Sequence, residues 1–366
     1  MIGIVLAWLQ STPIKVPFLI NEEKGMTFEF KNSINSFKKA NQKALKTVMA
    51  TLVALDGSSY RKPGVRMLIL EDGTMMGALS GGCVEKEILK QSESVFKTNQ
   101  PKMMTYDGRY RLGCEGTLYI LIEPFHPEES LIIEFEKTLE ERKAFQIKSY
   151  YSKQEGVNDN WGSCITFDKD KWFGFSKTTK GETKKDSTSL LFEQQLEPCF
   201  RLIIIGSEHD AVQLCLLASV LGWEVVIVTN AASQVATQDF PGIHQLLKVE
   251  PNSLQLKKVN HQTAIVLMTH SYAKDLQYLI ALKETQPAYI GLVGAMARGQ
   301  KLINDFIDYH PLVEESFLEK IHSPAGLNIG AETPQEIAMS ICSEILALTR
   351  QQKPDFMKNK KAQLSP

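Results

Sequence analysis

The sequence predicts an α/β protein of two domains: an N-terminal compact α/β domain and a C-terminal Rossmann-like domain with a doubly wound parallel sheet. The chain has 366 residues, enough for two or three domains with cores of their own. From residue 201 onward, short and fully apolar runs alternate with sequence of helical period. Strands of this kind are typical of a parallel sheet that helices cover on both faces.

The first domain is predicted over residues 26–125. It begins with a helix over residues 27–46, in which Phe30, Ile34 and Phe37 recur on one face. A second helix is predicted from Cys83 to Lys97. Strands are predicted over residues 47–55, 65–70, 75–79 and 118–122.

Residues 126–199 are predicted to be a connecting region. A helix is expected over residues 131–141, and strands are expected over residues 163–167 and 172–175. Residues 177–189 are polar and charged without an apolar period, which is typical of a linker.

The Rossmann-like domain is predicted over residues 200–350. Its strands are expected over residues 202–205, 224–229, 264–269 and 289–293. The last helix has clear start signals, because Thr333 is a good N-cap, Pro334 suits the first helical position and Glu336 completes a capping box. Residues 351–366 are expected to form a flexible tail.

The N-terminal 25 residues are predicted to be an extension that adds little to the fold. Residues 2–9 are apolar, but they are too few to span a bilayer. No positively charged segment precedes them and no small-residue cleavage site follows, so a secretory signal is not expected.

Charge and cysteine content narrow the classes of function. The 41 basic and 42 acidic residues give a net charge of −1, which argues against a nucleic acid or an anionic membrane as a partner. The six cysteines show no CxxC pair and no regular spacing, which fits reduced thiols in the cytoplasm better than a disulfide framework. They are Cys83, Cys114, Cys164, Cys199, Cys215 and Cys342.

The segment around Cys83 carries the strongest chemical signal. Gly81 and Gly82 can adopt backbone conformations that let main-chain N–H groups converge on an anion. Helical spacing then begins with Val84 and Ile88, which places Cys83 in the first turn of a helix. There the helix dipole favours the thiolate over the thiol. This arrangement is suited to holding a soft metal, a sulfur atom or an electrophile.

Cys114 repeats this pattern, because glycines flank it in a loop before a predicted strand. Basic residues near the two cysteines in sequence would lower the pKa of their thiols and attract an anion. These basic residues are Arg61, Lys62, Arg66, Arg109 and Arg111. The alternative for Cys83 and Cys114 is that both are small buried hydrophobic residues, which is what we expect of the other four cysteines.

The first turn of the second domain departs from a dinucleotide fingerprint. After Gly206, the second glycine of G-x-G-x-x-G is replaced by Glu208, which brings a side chain and a negative charge. The second strand ends at Thr229 and Asn230, without the acidic residue that would bind a ribose 2′-hydroxyl. NAD(P) is therefore disfavoured as a ligand, although Thr229 and Asn230 remain compatible with a 2′-phosphate.

The carboxyl ends of these strands are nevertheless expected to bind a ligand, as they do in other doubly wound sheets. His209 and Asp210 follow the first strand and would line an interdomain crevice, and His270 follows a later strand. The alternative for His209 is local packing at the start of a helix.

Several separate motifs, in order, resemble the xanthine dehydrogenase accessory factor family (XdhC/CoxI). In the first domain they are GSSYRKPGVRM at 57–67, SGGCVE at 80–85 and LGCEG at 112–116; in the second they are YIGLVG at 289–294 and PAGLNIGAETP at 324–334. The resemblance extends from about residue 26 to 350 and is weakest over 126–199. The chain departs from the family pattern at 206–208, at 229–230 and at Asn328, which affects nucleotide binding more than cofactor handling.

The resemblance implies a maturation factor for molybdenum hydroxylases. Such a protein binds the molybdenum cofactor (molybdopterin) transiently, works with a cysteine desulfurase that supplies the terminal sulfur, and delivers the cofactor to a xanthine dehydrogenase-like client. We expect Cys83 to be the thiolate that contacts the metal or its sulfur, since a thiolate suits a soft metal centre. Cys114 would be the second thiol, and Gly81, Gly82 and Arg66 would hold the anionic part.

Two alternatives remain at this point. One is an NAD(P)-dependent oxidoreductase that uses the Rossmann-like domain, and the other is an interaction scaffold in which both cysteines are buried. No residue pattern demonstrates turnover, so the expectation is a non-catalytic cofactor chaperone. A homodimer with an exchange site between its two chains is left open by the sequence.

Overall fold

A computed structural model describes residues 25–59, 61–108, 116–168, 171–179, 189–256 and 258–359, with the backbone alone at Cys83 and Asp168. The chain divides into two compact units, one ending at Pro198 and the other beginning at Cys199. No helix in the described ranges is long and apolar enough to cross a membrane.

The first unit contains three helices and ten strands in its described part. The helices are α1 (Met26–Gln42), α2 (Cys83–Thr98) and α3 (Glu129–Glu140). The strands are β1 (Thr47–Asp56), β2 (Arg66–Leu70), β3 (Met75–Gly77), β4 (Lys102–Asp107), β5 (Thr117–Pro124), β6 (Phe145–Tyr151), β7 (Gly156–Val157), β8 (Gly162–Asp168), β9 (Lys171–Gly174) and β10 (Leu190–Leu196).

Six of these strands form an antiparallel sheet in the order β3-β2-β1-β5-β4-β7. Alternate residues of β1 point to opposite faces of this sheet. On one face Ala50 and Leu52 pack with Val84 and Ile88 of α2. On the other face Met49 packs with the aromatic residues of α1. Helix α2 is therefore anchored by its apolar side.

The described residues of 126–198, in the predicted connecting region 126–199, are folded structure of the first unit. The strands of this region form a second antiparallel sheet in the order β10-β6-β8-β9, and β7 joins the first sheet. The predicted linker covers residues 177–189. Residues 177–179 end a turn after β9, and residue 189 lies just before β10. Residues 180–188 lie outside the described residues. Strands β6 and β10 escaped prediction because each has only seven residues, of which three are polar.

A cluster of phenylalanines fills the core beside this second sheet. The ring of Phe30 on α1 lies 5.4 Å from Phe135 on α3 and 5.6 Å from Phe175 after β9, measured between centroids. Phe37 meets Phe125 edge-on at 5.7 Å. Because aromatic rings bury large areas, this cluster joins α1 and α3 to the second sheet.

The second unit is a doubly wound parallel sheet, as the sequence predicts. Its strands are β11 (Arg201–Ile205), β12 (Glu224–Thr229), β13 (Gln245–Lys248), β14 (Thr263–Leu267), β15 (Tyr289–Leu292) and β16 (Ile321–His322). Its helices are α4 (His209–Val220), α5 (Tyr272–Ala281), α6 (Met296–Tyr309), α7 (Glu315–Leu318) and α8 (Pro334–Thr349). All neighbouring strands are parallel in the order β13-β12-β11-β14-β15-β16, which is the strand order of a Rossmann fold.

Helices cover both faces of this sheet. Helices α4 and α8 pack in one buried cluster, and α5, α6 and α7 pack in the other. The predicted capping box of α8 is confirmed, because Thr333 Oγ1 accepts from Glu336 N and the Glu336 carboxylate accepts from Thr333 N. The carboxyl ends of β11, β12 and β14 consequently lie together at one edge of the sheet.

Candidate functional site

Cys83 is the first residue of α2, as predicted. Gly82 is the N-cap, with φ of 150°, and Gly81 before it has φ of 131°. Both values lie in a region that favours glycine. Both glycines are exposed, and in the described part of the chain no atom other than those of their chain neighbours lies within 4 Å of where their Cβ atoms would be. The loop leads into Cys83 at the positive end of a sixteen-residue helix.

The inner side of this loop closes on the carboxylate of Glu85. Glu85 Oε1 accepts hydrogen bonds from the backbone N–H groups of Leu79 (3.0 Å), Ser80 (2.6 Å) and Gly81 (2.9 Å). Glu85 Oε2 accepts from Gly82 N at 2.5 Å. The main-chain amides do converge on an anion, but that anion is a side chain of the same protein.

The pKa of the Glu85 carboxyl group reflects these hydrogen bonds. Burial alone would raise the pKa of its carboxyl group, but the hydrogen bonds from the amides of Ser80, Gly81 and Gly82 outweigh burial and lower the pKa to about 2. Glu85 is therefore ionised at neutral pH and holds four consecutive residues of the loop in place. The sequence carried a signal for it, since Glu at the third position of a helix is a capping-box residue.

The structure gives Gly81 and Gly82 a different task from the predicted one. Their N–H groups already donate to Glu85, so a ligand anion would have to compete with that carboxylate. Their contribution on the described contacts is conformational, because their positive φ values let the chain turn sharply into α2. That they also hold the anionic part of a ligand stays a prediction.

Arg66, the predicted anion-binding cation, lies in the interior of the first unit. It is 6% exposed, and its Nη1 donates to Gly64 O at 2.9 Å and to Gln194 Oε1 at 2.6 Å. Its guanidinium carbon is 6.0 Å from the centre of the Phe30 ring. These contacts connect β2 to β10 and α1, so the guanidinium acts in the packing of the unit.

Glu123 on β5 is a buried carboxyl group in the same unit. Its two oxygens accept from Ser163 N at 2.7 Å and from Ser163 Oγ at 2.6 Å. Burial raises the pKa of Glu123 to about 7, although the Ser163 hydrogen bonds and the charge of Arg66 oppose this shift. The carboxyl group therefore changes its charge near neutral pH.

We expect Glu123→Gln to flatten the pH dependence of stability. The folded-state pKa lies above the unfolded value of 4.5, so the folded protein binds more protons between pH 4.5 and about 7. Stability is therefore full below pH 4.5 and falls as pH rises through about 7, by up to roughly 3 kcal/mol. The variant keeps acceptor and donor groups for Ser163 and should have a higher melting temperature than wild type at about pH 8, but not at about pH 5.

The control for this prediction is Glu193→Gln on β10, because Glu193 is partly exposed and lies 3.8 Å from Lys148. It should follow the wild-type pH dependence. Equal pH dependence of Glu123→Gln and wild type would show that the buried carboxyl group does not titrate in this range.

The remaining predicted cysteines fall into two groups. Cys114 lies outside the described residues. Cys164, Cys199, Cys215 and Cys342 are buried, as predicted, and burial raises the pKa of Cys215 and of Cys342 to about 12. The thiols of Cys215 and Cys342 therefore stay protonated at neutral pH and pack as small apolar groups.

In the second unit, a cavity of about 320 Å³ lies at the carboxyl ends of β11, β12 and β14. It is lined by Gly206, Ser207, Glu208, Val228, Thr229, Asn230, Ala232, Ser233, Thr269, Lys274 and Tyr278. Gly206 has φ of 146°, and a Cβ atom there would lie 2.5 Å from Met268 O. Only glycine permits this close approach of β11 to the end of β14.

His209 and Asp210 begin α4 beside this cavity, although neither is among its lining residues. His209 is exposed. The Oδ2 atom of Asp210 lies 4.0 Å from Nε2 of His270, whose φ of 57° is unusual for a residue other than glycine. The structure thus brings together Asp210 and His270 as expected from the strand ends. In the described part of the chain, no group of three His, Cys, Asp or Glu side chains is placed to hold a metal ion.

A buried ion pair supports the floor of the cavity. Asp275 on α5 is 1% exposed and accepts from Thr269 Oγ1 at 2.6 Å and from Arg298 Nη2 at 2.6 Å. Arg298 also donates to Val293 O at 3.2 Å. Because these bonds join the loops after β14 and β15, they fix Thr269 in the cavity wall. Sequence reasoning missed this network, since its members are spread over about 30 residues and share no motif.

These two units define a class of protein in which a cysteine-bearing antiparallel α/β domain precedes a separate Rossmann-like domain. Comparison with known families agrees with this division. The family model described as the XdhC and CoxI family matches residues 41–107, and the one described as the XdhC Rossmann domain matches residues 202–345. The chain belongs to the XdhC and CoxI family.

Individual relatives cover most of the chain. A protein of Bacillus subtilis (strain 168), named as a probable subunit of xanthine dehydrogenase, is 30% identical over 319 residues, which span 82% of this chain and 92% of the relative. The "Molybdenum cofactor insertion chaperone PaoD" of Escherichia coli (strain K12) is 22% identical, over 84% of this chain and 85% of its own. A crystal structure described as a xanthine dehydrogenase from Bacillus halodurans has a TM-score of 0.71 and 27% identity, and it covers 88% of this chain and 96% of its own.

Proposed function

We propose that this protein is a maturation factor that binds the molybdenum cofactor and delivers it to a xanthine dehydrogenase-type molybdenum hydroxylase. The observation that carries the proposal is Cys83, the first residue of α2, after two exposed glycines in a loop held by Glu85. Further support comes from the names of two relatives, one of which refers to xanthine dehydrogenase and the other to molybdenum cofactor insertion.

The chemistry of this position suits transient binding of a soft metal centre. A thiolate is a preferred ligand of soft and sulfur-rich metals. Cys83 is the first residue of α2, where the helix dipole favours a thiolate and the nearby Glu85 carboxylate opposes it. Among the described residues, no side chain crowds the Cβ positions of Gly81 and Gly82. Cys83 would contact the metal or its sulfur, and Cys114 would serve as the second thiol.

The proposal extends to the sulfur of the cofactor. A cysteine desulfurase would supply the terminal sulfur while the cofactor is held by this protein, which fits the resemblance to the accessory factors. The expected result is that sulfur per molybdenum in the bound cofactor rises when a desulfurase and cysteine are added. If the desulfurase leaves the ratio of sulfur to molybdenum unchanged, the protein carries the cofactor but has no part in its sulfuration.

A transfer experiment tests the delivery step. The protein is loaded with molybdenum cofactor, separated from free cofactor and mixed with a client hydroxylase that lacks it. We expect the client to gain molybdenum and activity faster than it does with the same concentration of free cofactor. Transfer no faster than from free cofactor would contradict delivery, even if binding itself is observed.

A further inference from the structure

We infer that the cavity of the second unit binds a sugar phosphomonoester, such as a sugar phosphate or a nucleoside monophosphate, rather than a dinucleotide. This ligand site is separate from the proposed role of Cys83 and does not depend on it. The inference combines the volume of the cavity, the charges in its wall and the orientation of its hydroxyl and amide groups.

The volume limits the size of the ligand. At about 320 Å³ the cavity is at the lower end of the range of small-molecule sites, which is roughly 300–1,000 Å³. It accommodates a sugar with one phosphate. Its position at the carboxyl ends of β11, β12 and β14 is where doubly wound sheets bind their ligands.

The charges of the lining residues favour one phosphate over two. Of the described residues that line the cavity, Lys274 alone is cationic, and in the described part of the chain its ammonium group has no ion-pair partner. Glu208, the N-cap of α4, places a carboxylate where a Rossmann domain receives a pyrophosphate. A diphosphate bridge would face this negative charge, whereas a monophosphate near Lys274 avoids it.

Other lining residues supply polar groups for the hydroxyl groups of a sugar. Thr229 Oγ1 donates to Ser207 Oγ at 3.1 Å, so the proton of Ser207 is directed elsewhere. Asn230 Oδ1 accepts from Ala232 N at 2.7 Å, and its NH₂ group has no described partner. Ser207 and Asn230 thus each have a hydrogen-bond donor for an oxygen atom of the ligand.

The test is calorimetric titration of the full chain with ribose 5-phosphate, AMP, ADP, NAD, NADP, adenosine and inorganic phosphate. We expect the two monophosphates to bind more tightly than ADP, NAD, NADP, adenosine or phosphate alone. Tighter binding of AMP than of ribose 5-phosphate would identify a nucleotide as the ligand, and equal binding would identify a sugar phosphate.

Three variants locate the site. Lys274→Met should weaken monophosphate binding by about tenfold or more, because a charge-assisted hydrogen bond is lost. Lys283→Met is the matched control, since Lys283 lies just after α5 and outside this cavity, and it should bind as wild type does. Glu208→Gly should reduce the difference in affinity between AMP and ADP, because it removes the carboxylate that faces a second phosphate.

Several results would overturn the inference. These are wild-type binding of NAD, NADP or ADP as tight as that of AMP, binding of inorganic phosphate as tight as that of the phosphomonoesters, or no binding of either monophosphate at about 10 mM. Equal loss of affinity in Lys274→Met and Lys283→Met would also overturn it. None of these results bears on retention of the molybdenum cofactor, so the two proposals fail separately.

Discussion

Replacement of Cys83 by serine is expected to reduce affinity for the molybdenum cofactor by at least about tenfold, without unfolding the protein. An alcohol is a much harder ligand than a thiolate and does not ionise at neutral pH, so the bond to a soft centre is lost. The substitution should be tolerated because Cys83 opens α2 next to exposed glycines, and serine is acceptable at a helix start. Equilibrium dialysis against the cofactor measures the affinity, and the melting temperature reports on folding.

The matched control is Cys199→Ser, which removes one of the buried cysteines and leaves Cys83 in place. It should retain the cofactor as wild type does. Cys114→Ser, measured beside it, tests the second thiol. Normal affinity in a folded Cys83→Ser protein would refute the assignment of Cys83 as the contact to the metal or its sulfur.

Replacement of Glu85 by glutamine is expected to affect both stability and cofactor binding. The lowered pKa of Glu85 means that the unfolded state binds more protons between pH 4.5 and about 2. The carboxylate therefore stabilises the fold fully above pH 4.5, by up to roughly 3 kcal/mol, and this contribution is lost as pH falls through about 2. Glutamine would place an NH₂ group against amide donors and release the loop.

The expected results at neutral pH are a lower melting temperature and a loss of cofactor affinity of about tenfold, since Cys83 is no longer held in place. Glu87→Gln on the same helix is the control, because Glu87 accepts only from Gln91 among its described contacts. A Glu85→Gln protein with wild-type stability and affinity would show that the hydrogen bonds from the loop amides to Glu85 do not position Cys83.

The architecture could be predicted largely because its signals are local. The apolar strands of the second unit and the capping box of α8 lie within a few residues of one another in sequence, so β11, β12, β14 and β15 could be predicted within about two residues. Region 126–199 could not be assigned in this way. The paired residues of its strands β6 and β10 are 39 to 51 positions apart in sequence, and three of the seven residues in each strand are polar, as in a solvated connector.

The candidate site could likewise be predicted only where its signals are local in sequence. The place of Cys83 at a helix start follows from the glycine pair and the apolar period after it. That Glu85 accepts from the amides of Gly81 and Gly82 could not be predicted, because an anion-binding pattern does not say whether the anion is a ligand or a nearby side chain. Arg66 was assigned to a ligand from its charge, and that role stays a prediction. Its hydrogen bond to Gln194, which is 128 residues away, has no local signal in the sequence.

The most direct test of the central claim is the molybdenum and pterin content of the protein after mixing with free molybdenum cofactor and separation by gel filtration. We predict nearly one molybdenum and one pterin per chain for the wild type, and little of either for Cys83→Ser. Absence of both from the wild-type protein would contradict a cofactor carrier and turn attention to the cavity of the second unit.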